Sequence, residues 1–305
     1  MNKVCVYMST YNGRRYIEQQ IQSILQQRDV EVYLVIRDDG SKDGTFEFLY
    51  QYIVNHELKN VELVKGDNVG CEESFFSLLT YKYDADYYAF SDQDDYWMPD
   101  KLIKSVTALR DLNVPAMAST NLLICSEDLN PIKVMRSDQD IVRLQSRMDD
   151  IMFCNVHGCS MLWNRKLQDL LYDYKPCFKV THDVWVCVVA NVVGKTVLLN
   201  APLIKYRQHG DNVCGYSENM IDRLKKGVKI YIINGEQDSS KIAQEVLRRY
   251  KKYLNDEKDY QILYDIADYK KSLGNKIKLM KSKLFKDNNV KDKIFRWMCI
   301  LLGRY

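Results

Sequence analysis

Five aspartates stand in two tight groups, Asp38-Asp39 and Asp92-x-Asp94-Asp95, each directly after a short apolar run. A hard divalent cation such as Mg²⁺ or Mn²⁺ takes one or two carboxylates of this kind together with the phosphates of a substrate. Side chains alternate along an extended backbone, so positions 92 and 94 can both face one ligand. Acids at a strand end can also just cap the next helix. Here apolar Tyr87–Phe90 leads in and Trp97-Met98-Pro99 closes the group at once, which favours a site over a solvated loop. The four histidines have no spacing that makes a protein-only metal site, and the nine cysteines form no zinc pattern.

The elements that must position these acids can be read from periodicity. Val4–Met8, Val32–Ile36, Val61–Val64 and Tyr87–Phe90 read as buried strands. Between them, Arg15–Gln27 carries apolar residues at helical spacing, Asp43 and Thr45 can cap a helix running through Val54, and Glu72–Tyr81 reads as a third helix. Pro99 opens a helix to Leu109, as proline suits the first helical position. Strands alternating with such helices predict a parallel sheet with right-handed crossovers. Ligands bind beyond the carboxyl ends of strands in such sheets. The segments expected there are STYNG, RDDGSKDG, GDNVG and SDQDD, all polar and rich in glycine or acids. Further on, short strands are expected near Ala116–Asn121 and Val197–Leu199. An apolar helix follows Asp183, where Thr181 or Asp183 can act as N-cap, and the chain from Met220 is helical and lysine-rich.

The chain is 305 residues long, 46% hydrophobic and 28% charged, with 5 prolines and 13 glycines, which excludes a disordered chain and long linkers. Its net charge of +3 is unevenly spread: residues 270–305 hold eleven Lys or Arg against two Asp. The rest is correspondingly acidic, which suits a cation-binding body with a basic tail. No secretory signal is visible, no apolar run reaches the length of a membrane span, and scattered odd cysteines suit reduced thiols, so a cytoplasmic protein is expected.

Residues 4–12 (VCVYMSTYN), 35–45 (VIRDDGSKDGT), 66–70 (GDNVG) and 90–102 (FSDQDDYWMPDKL) resemble, in order and spacing, the signatures of family 2 glycosyltransferases. Thr181-His182-Asp183 and LIKYRQHGDNVCG (203–215) extend the resemblance, and the combination is similar to bacterial rhamnosyltransferase-like enzymes of surface polysaccharide synthesis. The resemblance implies a GT-A fold, an α/β Rossmann-like nucleotide-binding domain with a mostly parallel sheet over residues 1–215, and a helical basic extension over 216–305.

It also implies roles. Thr10 and Tyr11 would lie against the nucleoside, with Asp39 or Asp38 on a uracil or thymine ring; Asn68 and Gly70 would belong to the donor site. Asp92 would contact the ribose and Asp94 the metal, Mg²⁺ or Mn²⁺, while Asp95 could simply cap the next helix. Arg207 would serve the phosphates and His209 the metal or a phosphate. Gly158, in NVHGCSMLW, would lie near the sugar, or else merely form a tight turn. Asp183 would be the general base of an inverting, single-sugar transfer, since the QxxRW motif of processive members is absent.

The implied donor is a dTDP- or UDP-sugar, with rhamnose first, and the implied acceptor a saccharide, lipid-linked, at the cytoplasmic face of the plasma membrane. The tail, ending in IFRWMCILL, can lie on an anionic leaflet or pack on the catalytic domain. A nucleotidyltransferase would carry a glycine-rich basic loop that STYNGRRY does not resemble. A non-catalytic sugar-nucleotide or polysaccharide binder would need neither Asp94 nor Asp183 as a pair. No fold motif supports nucleic-acid binding.

Overall fold

A computed structural model describes residues 1–136, 142–145, 156–210, 238–254, 257–282, 284 and 290–305. The chain forms two compact units. The first comprises the described parts of Met1–Leu144, Val156–Lys175 and Lys195–Tyr216; the second those of Gln145–Asn155, Pro176–Gly194 and Ser217–Tyr305. Residues 176–194, expected within the N-terminal domain, thus group with the C-terminal helices.

The first unit is built on a ten-stranded sheet: β1 (Asn2–Thr10), β2 (Val30–Asp38), β3 (Val61–Lys65), β4 (Tyr87–Ser91), β5 (Tyr96–Trp97), β6 (Ala116–Cys125), β7 (Pro131–Val134), β8 (Val142–Gln145), β9 (Met161–Asn164) and β10 (Lys195–Arg207). Its main path runs β3-β2-β1-β4-β9-β6-β10-β5, with β7 beside β6 and β8 beside β10. β1 lies parallel between β2 and β4, and Val4 to Met8 are wholly buried, which is why that run is apolar on both faces. β9 enters antiparallel between β4 and β6, and β10 returns parallel to β6.

Among the described residues, five helices accompany the sheet: α1 (Ile17–Leu25), α2 (Thr45–Asn55), α3 (Cys71–Leu79), α4 (Lys101–Leu109) and α5 (Arg165–Leu171). α1 places Ile17, Ile21 and Ile24 in the core without exposure, each stabilising the fold by about 1.5–3 kcal/mol. It begins two residues later than its apolar spacing suggests, because Gly13 to Tyr16 turn first, with the Tyr16 and Ile17 amides both donating to the Gly13 carbonyl. Asp43 accepts the Thr45 amide at 3.0 Å just ahead of α2, although the N-cap position itself is Gly44 rather than Asp43 or Thr45.

The second unit is helical: α6 (His182–Val193), α7 (Ser239–Tyr250), α8 (Glu257–Asp268), α9 (Leu273–Met280) and α10 (Val290–Leu301). The helix expected to begin at Met220 falls, up to residue 237, outside the described residues, as do 211–215 of the YRQHG segment's continuation. No helix among the described residues is long and apolar enough to cross a membrane.

Candidate active site

The chain steps outward from β1 to β2 to β3 and then returns to place β4 on the other side of β1. That reversal opens a crevice beyond the carboxyl ends of the strands. Thr10 pairs in register with Asp38, Asp38 with Lys65, and Met8 with Ser91, so all four polar segments leave the sheet along one edge. A cavity of about 250 Å³, lined by Lys3, Val30, Tyr33 and Tyr83 among others, opens at the opposite, amino-terminal edge and contains none of the expected site residues.

Gln93 joins the first and fourth segments. Its Oε1 accepts from Thr10 Oγ1 at 2.7 Å and from the Tyr11 amide at 2.9 Å, and its Nε2 donates to the Tyr11 carbonyl at 3.2 Å. A Cβ on Gly13 would stand 2.2 Å from that Oε1, so glycine is required there while the bridge holds. Thr10 is consequently buried and spent on Gln93, whereas the Tyr11 ring is 42% exposed and offers a flat face.

The adjacent acids separate by partner. Asp38 accepts from the Ser41 amide at 3.0 Å and the Ser41 hydroxyl at 2.6 Å, closing its own turn. Asp39 reaches across instead: its carboxylate accepts from Arg37 Nη1 at 2.5 Å, the Val69 amide at 3.0 Å and the Gly70 amide at 2.8 Å. Gly70 therefore meets Asp39 through its backbone, and Asn68 is exposed beside it. Arg37 also donates to Ser74 Oγ and to the Asp67 carbonyl, and a Cβ on Gly66 would lie 2.3 Å from its Nη2.

Around the third acid group, His209 Nε2 lies 2.8 Å from Asp94 Oδ2, and its ring stacks on Tyr16 at 4.9 Å. Arg207 is buried. Its Nε donates to the Asp94 carbonyl at 2.7 Å, its Nη2 to Gln19 Oε1 at 2.6 Å and its Nη1 to the Glu127 carbonyl, while its amide donates to Asp95 Oδ1 at 3.2 Å. The guanidinium expected at a phosphate is thus engaged by protein groups that fix the acid loop. Tyr16 donates to Glu127 Oε1 at 2.6 Å, completing the surround.

Asp95 is wholly buried, accepts from the Cys159 thiol, and has no donor for Oδ2 among the described residues. Burial, and then the charges of Asp94 and Asp92, push its carboxyl well above the usual range. Ligand atoms of Asp92, Asp95 and Cys159 lie within 4.8 Å of one another. Burial pushes the Cys159 thiol up as well, and a protonated thiol is a poor ligand for Mg²⁺ or Mn²⁺. Asp94 with His209 is the better donor set: a carboxylate oxygen and an imidazole nitrogen at one point, the imidazole 7% and the carboxylate side chain 15% exposed, with half-buried Asp92 on the same loop. Gly158 lies in a short 3-10 turn with Cys159 and Ser160, whose hydroxyl meets Ser119 Oγ at 2.8 Å.

Asp183 lies in the other unit, in the first turn of α6. Its Oδ1 accepts from Thr181 Oγ1 at 2.5 Å and the Val184 amide at 2.7 Å.

Gln93, Arg37, Tyr16, Gln19 and Glu127 were not singled out from sequence. Arg37 and Gln93 lie inside the acid motifs; the others carried no signal, since their contacts join segments far apart in the chain.

Several known proteins are similar to this chain. The dTDP-rhamnosyl transferase RfbG of Shigella flexneri is 33% identical over 105 residues, 33% of this chain and 36% of RfbG. TuaG of Bacillus subtilis (strain 168), a glycosyltransferase ascribed to teichuronic acid biosynthesis, is 29% identical over 157 residues, 51% of this chain and 59% of TuaG. The matches therefore span about a third to three fifths of these relatives' lengths. The crystal structure of S. aureus TarS 1–349 in complex with UDP-GlcNAc superposes with a TM-score of 0.60 at 16% identity, covering 98% of this chain and 81% of that TarS fragment, and supports the GT-A fold. The family model for glycosyl transferase family 2 matches residues 5–171, more than half of the chain, and the chain belongs to that family.

Proposed function

We propose that this chain is an inverting, metal-dependent glycosyltransferase. It moves a single sugar from a dTDP- or UDP-sugar, with rhamnose the leading candidate, to a saccharide acceptor. The acceptor is lipid-linked, presented at the cytoplasmic face of the plasma membrane, for a surface polysaccharide such as O-antigen or capsule. The observation that carries the reading is the meeting of Asp94 and His209 on the edge of the sheet that also holds exposed Tyr11 and the buried Asp38 and Asp39. RfbG's name favours a dTDP-rhamnose donor and TuaG's a cell-surface polymer.

In this reading Tyr11 stacks on the pyrimidine, and Asp38 or Asp39 accepts its imide N–H. The loop through Asn68 and Gly70 and the turn at Gly158 border the donor, and Asp92 accepts from the ribose. Asp94 and His209 hold Mg²⁺ or Mn²⁺, which when bound neutralises charge that develops on the leaving diphosphate. Arg207 keeps the Asp94 carbonyl fixed, so that the carboxylate meets its ligand already oriented. A carboxylate oxygen of Asp183 takes the proton of the acceptor hydroxyl as that oxygen attacks the anomeric carbon.

Calorimetry with UDP, dTDP and GDP, each with and without Mn²⁺, tests the donor side. Mn²⁺-dependent binding of UDP or dTDP that is lost in Asp94→Ala is expected. Undiminished binding without metal, or in that variant, would remove the metal from the reading; a preference for GDP would replace the donor class.

A further inference from the structure

Within the second unit, the last two helices are amphipathic in an unusual way. Their inward faces are packed: Leu279, Cys299, Ile300 and Tyr305 are buried, Tyr269 Oη donates to the Tyr305 carbonyl at 2.8 Å, and Trp297 Nε1 donates to the Met280 carbonyl at 3.1 Å. Lys276 on α9 donates to the Leu301 carbonyl at the end of α10, so the two helices lie side by side. Yet α10 carries a second apolar stripe. Ile294, Met298 and Leu301 stand at i, i+4 and i+7, one face of the helix, Leu302 follows in the turn just past its end, and with Leu273 and Ile277 of α9 they are 41–65% exposed. Six large apolar side chains exposed on neighbouring helices mark an interaction surface rather than scattered surface residues.

We propose that this outward face of α9 and α10 docks on an anionic lipid bilayer. The sequence left open whether the tail packs on the catalytic domain or meets a membrane; within the second unit the two helices pack on each other with one face and leave another exposed. Charge decides among occupants. Residues 270–305 hold eleven Lys or Arg against two Asp; Lys270, Lys271 and Lys278 are paired with Asp238, Asp268 and Asp265, and the excess that is left makes two copies of the tail repel each other, whereas an anionic headgroup layer attracts them. Lys281 and Arg304 are exposed at the ends of the same helices. Geometry agrees: α10 has 12 residues and is about 18 Å long, too short to span a bilayer but suited to lying in its interface. The inference goes beyond the transfer reaction and does not depend on it.

The test is co-sedimentation of the full chain with vesicles of phosphatidylcholine alone or mixed with phosphatidylglycerol. The wild type should bind the anionic vesicles and release them as salt rises. The triple variant Ile294→Ser/Met298→Ser/Leu302→Ser should bind at least about tenfold more weakly, with unchanged thermal melting because all three side chains face outward. Met298→Trp, which needs no loss of folding to be read, should bind more tightly. Equal sedimentation of wild type and triple variant would overturn the proposal, as would equal binding to neutral vesicles. A concentration-dependent dimer that the triple variant abolishes, without vesicle binding by the wild type, would reassign the face to self-association.

Discussion

Arg207 donates its Nε to the backbone carbonyl of Asp94 across 113 residues of chain, at 2.7 Å, and thereby ties the end of β10 to the acid loop after β4. The other guanidinium nitrogens donate to Gln19 and Glu127, so the side chain links three segments at once. Lysine keeps the charge but has no planar fork to reproduce these directions.

Arg207→Lys should therefore lower stability by about 1.5–3 kcal/mol, the usual worth of hydrogen bonds made by a charged group, and weaken nucleotide binding as a consequence. Urea unfolding and UDP calorimetry on the same preparation check this. A residue that only contacted phosphate would lose affinity at unchanged stability, and that result would reverse the assignment.

Arg37 and Asp39 make a second buried pair, 11% and 3% exposed at their side chains. Arg37→Leu would leave the Asp39 carboxylate buried with only two backbone amides, and should cost about 3–5 kcal/mol in urea unfolding. Arg37→Lys should cost less, because it keeps a cation near Asp39 while losing the links to Ser74 and Asp67. If the Leu variant unfolds at the wild-type midpoint, the pair does not organise the GDNVG loop.

The parallel half of the sheet was legible because each strand there is a short apolar run that turns abruptly polar. β1 with Thr10, β2 with Asp38 and β4 with Ser91 all show that change within two residues. β9 was not legible: Met161–Asn164 is four residues long, and nothing in its own pattern says that it enters antiparallel between β4 and β6. The same limit hid the neighbours of the acids. Tyr16 and Glu127 are 111 residues apart, and neither belongs to a periodic or acidic motif, so only the folded chain joins them. Arg207 was visible as a cation in YRQHG, but its sequence neighbours could not reveal that its donors are taken by backbone carbonyls and Gln19. Gln93 stood as the unspecified middle of an acid triplet, although it bridges two segments of the site.

Lys101 gives a pH-dependent prediction. It is wholly buried, its Nζ lies 3.4 Å from the centroid of the Trp97 ring, and among the described residues it has no hydrogen-bond acceptor. Burial pulls its pKa from the ordinary 10.5 down to about 7, against the opposing pull of Cys159 and Asp95. Between those two values the unfolded chain holds the proton and the folded chain has released it. Stability should then rise with pH across that window, by at most about 1.4 kcal/mol per unit, and level off above it. Lys101→Met removes the titrating group, so the variant's stability relative to wild type should be highest near pH 7 and decline steadily towards pH 10.5. Melting temperatures of both proteins across that range check it. A constant difference would mean that Lys101 stays charged against Trp97.

Asp183→Asn tests the proposed base. Its Oδ1 accepts from Thr181 Oγ1 and the Val184 amide, a local role that an asparagine carbonyl oxygen can take over, since Asn serves helix starts about as well as Asp. A purely structural Asp183 should therefore survive the change with near-normal turnover and melting. A general base cannot, because the amide does not accept a proton at neutral pH, and its loss typically costs about 10²–10⁴-fold in rate. Mn²⁺-dependent nucleotide affinity should persist, because Asp94 and His209, not Asp183, hold the diphosphate's cation in this reading. The measurement pairs turnover on a competent saccharide acceptor with UDP or dTDP affinity, for wild type and variant. Lost turnover at intact affinity and melting supports the base. Retained turnover refutes it, and parallel loss of affinity and turnover reassigns Asp183 to shaping the donor pocket.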